Sequence, residues 1–189
     1  MTKLSDESQI SGVAKATSLL LDSKAAIYQL AKWVAILSIM AMFLSLMTGV
    51  IVRYVLSTNL GWISEVPSLF FPWLTMSAIA AAAAKNEHIG INLVVDNLPS
   101  AARHLVTFAT NALAMIAFGV MAYYGLDIIE IAGDQRLPIT KVPMSWAYWS
   151  VVAGFVALAV VSLINIALLL TGHDEHIASQ VSHGEEVLL

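Results

Sequence analysis

The chain is organised around the stretch RYVLSTNLGWISEVPSLFFPW (residues 53–73), which separates its first two long apolar segments. Arg53 closes the first segment, and Glu65 opens the second. A cation at the C-terminus of a helix and an anion at the N-terminus of a helix both interact favourably with the helix dipole. The stretch therefore predicts a junction between two helices.

The composition is that of a membrane protein. Of 189 residues, 59% are apolar and only 12% are charged, whereas soluble domains carry about 25% charged residues. Cysteine is absent, which excludes disulfides, thiolate metal sites and cysteine nucleophiles. The net charge of -4 and the lack of a basic stripe argue against nucleic acid as a partner.

Four stretches without any charged residue are long enough to cross a bilayer. A helix needs roughly 17 to 25 residues to cross the hydrocarbon core, and unpaired backbone groups are not tolerated there. The predicted fold class is therefore all-α integral membrane, with four transmembrane helices and short interfacial helices. The four stretches are Trp33–Val52, Pro67–Ala84, Leu105–Leu126 and Trp146–Leu170.

The predicted domain organisation is a polar or amphipathic N-terminal segment (residues 1–28), a four-helix membrane domain (29–172) and a polar tail (173–189). The N-terminal segment has apolar residues near helical spacing, so it forms either a short helix on the membrane surface or a frayed tail followed by an early start of the first span. A second interfacial helix is predicted between Ile91 and Leu98, where apolar residues recur at i, i+3, i+4 and i+7.

The distribution of Lys and Arg predicts the orientation. Residues 1–32, the second loop and the tail together carry six, against three in the first and third loops. Cytoplasmic loops are enriched in these residues. We therefore expect a multi-pass membrane protein with both termini in the cytoplasm.

Residues suited to anchoring or to a subunit interface cluster near the span ends. An Arg beside a Tyr at a span end is typical of interfacial anchoring, and tryptophans favour the same level. Arg53 and Glu65 either suit their own helix dipoles independently, or meet each other or a charge on a partner. The six candidates are Arg53, Tyr54, Trp62, Glu65, Trp73 and Trp146.

Three acids follow the third span, at a helix end where the dipole disfavours them. Asp127, Glu130 and Asp134 are either a solvated helix end compensated by Arg136 and Lys141, or a docking patch for a soluble partner. Both interpretations predict that the three side chains face water.

The sequence predicts no enzyme, metal site or cofactor. All five histidines lie outside the spans, so the paired ligands of a membrane haem protein are missing. No ionisable residue lies in the middle of a span, which argues against a self-sufficient coupled transporter. Asn111 in the third span suits either an interhelical hydrogen bond or a substrate contact.

Short motifs follow one another in order along the four spans and their loops. They are Arg53-Tyr54-Val55, Leu60-x-Trp62-x-x-Glu65, Trp73, an Ala-rich half of the second span, His88-Ile89, Leu98-Pro99 and Pro143-Met144-x-Trp146. In this order, over about Trp33 to Leu170, the chain resembles the small membrane subunit of tripartite ATP-independent periplasmic (TRAP) transporters. It departs from that family at Ser64, where a second acid is frequent, and at Asn92, where an Asp is common.

The resemblance implies a non-catalytic subunit that scaffolds a large membrane subunit in the bacterial inner membrane. By that resemblance, the large subunit carries the substrate and sodium sites, and a periplasmic binding protein delivers an organic acid, such as a carboxylate or sialic acid. Two other classes remain open from the residues alone: a stand-alone four-helix channel or exporter, and the membrane anchor of a redox complex.

Overall fold

The computed structural model describes residues 2–55, 57–58, 60–85 and 100–170. Four long helices account for most of them, and each is long and apolar enough to span a membrane, which confirms the predicted fold class. The predicted interfacial helix between Ile91 and Leu98 and the polar tail lie outside the described residues. The helices are α1 (Thr2–Val55), α2 (Val66–Ala84), α3 (Ser100–Ala132) and α4 (Ser145–Leu170), with a short 3-10 helix at Gly61–Ser64 before α2.

Helix α1 is far longer than the span predicted inside it. Its 54 residues correspond to about 80 Å, compared with about 30 Å of hydrocarbon. The helix runs without a break through residue 28, so the N-terminal segment continues the first span as one helix. The observed helix begins well before the predicted span, and a separate surface helix is not seen among the described residues of this segment.

One narrow seam of α1 faces the other helices. Buried positions recur every seventh residue, which keeps them on one side of a helix that packs at a shallow angle. Small residues dominate, so the neighbouring helix backbones can approach closely. The seam consists of Thr17, Lys24, Ala31, Ser38 and Val52, with the half-buried Ser45 at the remaining position.

The helices form a row in the order α1, α2, α4, α3. Helix α1 runs antiparallel to α2, since Ser45 near its end donates a 2.8 Å hydrogen bond to the carbonyl of Ile63, while Tyr28 lies under Lys85. Within the described residues, α3 contacts neither α1 nor α2. Large parts of the outer helices α1 and α3 therefore remain exposed, as expected for surfaces that meet lipid or a partner.

Helices α2 and α4 run parallel, and their backbones approach closely at Gly154. A β-carbon added at Gly154 would lie 2.7 Å from Cβ of Met76. Helix α3 is antiparallel to α4, with the rings of Phe118 and Phe155 stacked at 6.2 Å. The row therefore has two ends: the junction end, with the 3-10 helix and the loop between α3 and α4, and the terminal end, where α1 starts and α4 stops.

Candidate functional site

Glu65 lies where the 3-10 helix passes into α2. Its backbone is the N-cap of α2, with φ -86° and ψ -23°, and Pro67 sits in the first turn of the helix, where a missing N–H costs nothing. The predicted helix start is therefore confirmed. The Glu65 side chain does not cap this helix, however, and it is only 7% exposed.

The Glu65 carboxylate binds the loop between α3 and α4. One oxygen accepts the N–H of Ile139 at 2.7 Å. The other accepts the N–H of Thr140 at 2.8 Å and the hydroxyl of Thr140 at 2.6 Å. Hydrogen bonds to an ionised acceptor are shorter and roughly twice as strong as neutral ones. One carboxylate thus joins the start of α2 to a loop more than 70 residues further along the chain.

The loop that Glu65 binds is compact. Its own backbone closes it, with Leu137 N–H bonded to Val142 C=O at 3.0 Å and Met144 N–H bonded to Gln135 C=O at 2.7 Å. Lys141 has a φ of 58°, a left-handed conformation that turns the chain back towards α4. The loop therefore presents a fixed surface at the junction end.

The Ile139 side chain packs the same loop against the 3-10 helix. A β-carbon at Gly61 would collide with Cδ1 of Ile139, so glycine leaves the room that this side chain occupies. On the other side of the junction, Ser45 of α1 holds the Ile63 carbonyl. Glu65 is thus the polar part of a junction that brings together α1, the 3-10 helix, α2 and the loop.

Arg53 and Tyr54 end α1 beside this junction, and both are exposed, Tyr54 by 80%. Among the residues that the structure describes, no ion pair joins Arg53 to Glu65, because the Glu65 oxygens are taken by Ile139 and Thr140. The isolated chain therefore does not contain the direct pair, and the pairing of Arg53 with Glu65 or with a charge on a partner stays a prediction for the assembled complex. Arg53 is left facing the surroundings of the protein.

The predicted tryptophans fall into two groups. Trp73 and Trp146 pack together with ring centroids 5.6 Å apart, and Nε1–H of Trp73 donates to the carbonyl of Trp146 at 3.2 Å. Trp62 is 46% exposed and Trp146 is 54% exposed. The pair at Trp73 and Trp146 fixes the start of α4 against α2, while Trp62 and the free face of Trp146 point outwards.

The acids after the third span do not join the Glu65 cluster. Asp127 and Glu130 lie in the last turns of α3, Asp134 follows the helix, and all three are exposed. In the described part of the chain, no group of three His, Asp or Glu residues is placed to hold a metal ion. All three acids are therefore exposed near the loop, which also carries the exposed Arg136 and Lys141.

A second polar cluster lies at the terminal end, and the sequence indicated only one of its members. Lys24 Nζ donates to Oδ1 of Asn165 at 2.9 Å, and Nδ2 of Asn165 donates to Oδ1 of Asn111 at 3.2 Å. Nδ2 of Asn111 bonds the carbonyl of Thr107 at 2.9 Å. The interpretation of Asn111 as an interhelical hydrogen-bonding residue is confirmed. Lys24 was missed, although its place in the seven-residue seam of α1 is visible in the sequence.

Comparison with known proteins gives a consistent family. Residues 42–172 match the model of the DctQ component of tripartite ATP-independent periplasmic transporters. The chain is 23% identical over 150 residues to the ectoine TRAP transporter small permease protein TeaB of Halomonas elongata, covering 78% of each chain. It is 21% identical over 126 residues to a putative TRAP transporter small permease protein of Haemophilus influenzae, covering 67% of this chain and 76% of that one.

A third relative is a much longer protein. The chain is 31% identical over 151 residues to the protein y4mM of Sinorhizobium fredii. The match covers 79% of this chain but 28% of y4mM, so the chain spans little more than a quarter of that relative. The family match includes both Glu65 and the loop that Glu65 binds, and it leaves out Lys24. The chain belongs to the DctQ family, the DctQ component of tripartite ATP-independent periplasmic transporters.

Proposed function

We propose that this small permease component is a non-catalytic scaffold for a large membrane subunit in sodium-coupled uptake of an organic acid, of carboxylate or sialic acid type, delivered by a periplasmic binding protein. The observation that carries the proposal is the combination of DctQ membership with four spans whose central stretches contain no ionisable residue. Ion-coupled pathways are usually marked by such residues, so a transporter component without them is suited to a supporting role beside the subunit that moves the substrate.

Two features of the relatives support the partner and the substrate class. In y4mM the matched region is part of a chain more than three times as long, so in that protein it is covalently joined to a larger remainder. The name of TeaB refers to ectoine, a zwitterion that carries a carboxylate. Both observations favour a scaffold that works beside a larger protein and serves a carboxylate substrate.

The six candidate interface residues form two groups, four that are exposed and two that bond within the chain. Arg53, Tyr54, Trp62 and Trp146 are exposed, so we assign them to contact with the large subunit or to anchoring at the headgroups. Glu65 and Trp73 are used inside the chain, so they act by shaping the surface that these four residues present. The partner of Arg53 is then sought on the large subunit or in the lipid.

The acidic surface of Asp127, Glu130 and Asp134 is our candidate docking site for the periplasmic binding protein. The three side chains are exposed and lie beside a loop that the Glu65 carboxylate holds. Carboxylates near a rigid surface suit a partner with basic residues, and such contacts change association rates in a salt-dependent way.

The proposed location is the inner membrane, with both chain termini in the cytoplasm and the junction end in the periplasm. The chain has no cysteine, so single cysteines can be labelled without background. In intact cells, an impermeant thiol reagent should label Ser57→Cys and Asp134→Cys and leave Asn86→Cys and Ser179→Cys unlabelled. The reverse pattern would overturn the orientation without affecting the fold.

Co-purification tests the scaffold assignment. A tagged chain, extracted in mild detergent, should bring the large membrane subunit of the same transporter with it in a defined ratio. A matched sample expressing only the large subunit with an unrelated tagged four-helix membrane protein controls for non-specific association. Recovery of the tagged chain alone, with both subunits present in the membrane, would contradict the proposal.

A further inference from the structure

The polar cluster of Lys24, Asn165 and Asn111 has no role in the proposed scaffold function and lies at the end of the row opposite Glu65. Lys24 is 8% exposed although it is a lysine, and it is the one charged residue on the buried seam of α1 described above. Buried lysines are rare unless their ammonium group is satisfied by hydrogen bonds. Burying the Lys24 ammonium therefore costs free energy, which the hydrogen bonds of the cluster offset.

The depth of the cluster follows from helix geometry. Asn165 is 19 residues beyond Trp146 in α4, a rise of about 28 Å, close to the hydrocarbon thickness of about 30 Å. With Trp146 at one boundary of the hydrocarbon, Asn165 lies at the other. Hydrogen bonds between polar groups at that level stabilise the chain, because little water is available on the apolar side to bond these groups instead.

The cluster connects helices that otherwise do not touch. Within the described residues α1 and α3 share no contact, and α4 lies between them at this end. Asn165 of α4 accepts from Lys24 of α1 and donates to Asn111 of α3. A single amide thus uses its oxygen for one outer helix and its nitrogen for the other.

Helix α1 continues well past this cluster. Residues 2–24 form about 33 Å of helix on the terminal side of Lys24. This segment, which we name the arm, lies outside the family match, which begins at residue 42. Within the arm, Lys24 bonds Asn165 of α4, and Thr17 is also buried, with 5% of its surface exposed.

We propose that Lys24 is a positioning residue that locks the arm to α4 and, through Asn165 and Asn111, to α3. The lock makes the arm one rigid body with the four-helix row, so that its direction relative to the membrane is fixed. The proposal is independent of the scaffold function, since it concerns this chain alone.

Distance measurement in the full chain tests the lock. Nitroxide labels on Ser18→Cys and Leu105→Cys, both exposed positions, report the separation of the arm from α3 in lipid nanodiscs. The doubly labelled chain with Lys24 in place should give one narrow distance peak. Adding Lys24→Met should broaden that peak. Lys24→Arg should restore the narrow peak, because a guanidinium also donates to an amide oxygen. Lys32→Met, which changes an exposed lysine of the same helix, should leave the peak unchanged.

A narrow, unshifted peak in Lys24→Met would overturn the proposal. Where Lys24→Met does not yield monodisperse protein, Asn165→Ala removes the acceptor without altering α1. It should broaden the distance in the same way while the helix content by circular dichroism stays unchanged. An unchanged peak in Asn165→Ala would overturn the proposal equally.

Discussion

The two ends of the helix row are held by polar groups of opposite kind. At the junction end, the Glu65 carboxylate accepts hydrogen bonds from two backbone N–H groups and one hydroxyl of a single loop. At the terminal end, a lysine and two amides bond side chain to side chain across three helices. Loops have free backbone donors that an anion can use, whereas donors inside a helix are already bonded, so helices are linked through side chains.

This difference sets the expected sensitivity of each end. At the junction, one residue satisfies three donors, so its loss leaves several groups without a partner at once. At the terminal end, loss of Lys24 leaves the hydrogen bond between Asn165 and Asn111 in place. The junction should therefore be the more fragile of the two ends.

Replacing Glu65 should have the largest effect. In Glu65→Gln the amide nitrogen faces backbone N–H donors and cannot accept from them, so at least one donor loses its partner. We expect the yield of complex with the large subunit, and uptake with it, to fall by about tenfold or more, since donors left unpaired carry the full desolvation penalty. Quantitative co-purification and uptake measure both.

Asp22→Asn is the matched control, because it converts an exposed carboxylate to the corresponding amide at a position outside the sites assigned above. It should leave assembly unchanged. Equal losses in the two variants would show that net charge, and not the bonding of the loop, is what matters at the junction.

Overpacking the contact between α2 and α4, which lies between the two ends, should have the next largest effect. Gly154→Leu drives a side chain into Met76 of α2 and should destabilise the chain by about 1–3 kcal/mol, as overpacking typically does. Gly119→Leu is the control, since a β-carbon at Gly119 meets nothing within 4 Å. Thermal unfolding in detergent compares the two, and an equal fall of both midpoints would contradict the packing assigned to α2 and α4.

The apolar helices were predictable because their signal is local. The stretch Trp146–Leu170 is uninterrupted, and the observed α4 differs from it by one residue. The start of α1 was left open because residues 1–28 mix polar and apolar side chains. The family resemblance, which rested on ordered motifs in and between the spans, is confirmed.

The partners of the polar residues were not predictable from spacing. Glu65 suits a helix start by its position, but its donors are backbone groups of Ile139 and Thr140, and a backbone N–H leaves no mark in a sequence. Lys24 and Asn165 are 141 residues apart, and only the packing of α1 against α4 brings them together. The partners in these long-range hydrogen bonds are therefore visible only in the folded structure.

Removing the indole N–H at the junction end should have a smaller effect. Trp73→Phe keeps an aromatic ring against Trp146 and loses the bond to its carbonyl. The expected loss is about 0.5–1.5 kcal/mol of unfolding free energy, the usual worth of one hydrogen bond. Trp33→Phe, at an exposed tryptophan of α1, is the control and should change the unfolding midpoint less.

Replacing Arg53 should have the smallest effect on the chain itself. Arg53 is exposed, so Arg53→Gln should leave the unfolding midpoint of the isolated chain unchanged and weaken only assembly with the large subunit. Because Arg53 and Glu65 do not pair, the assembly losses of the two single variants should add in the double variant. Strong non-additivity would show that the two residues meet when the complex forms.

Reconstituted transport tests the central claim most directly. The purified chain in vesicles, with an inward sodium gradient and a panel of organic acids that includes sialic acid and ectoine, should take up nothing. Addition of the large subunit and the periplasmic binding protein should produce sodium-dependent uptake of the cognate acid, and omission of this chain should abolish that uptake. Sodium-driven uptake by the chain alone would contradict its assignment as a scaffold.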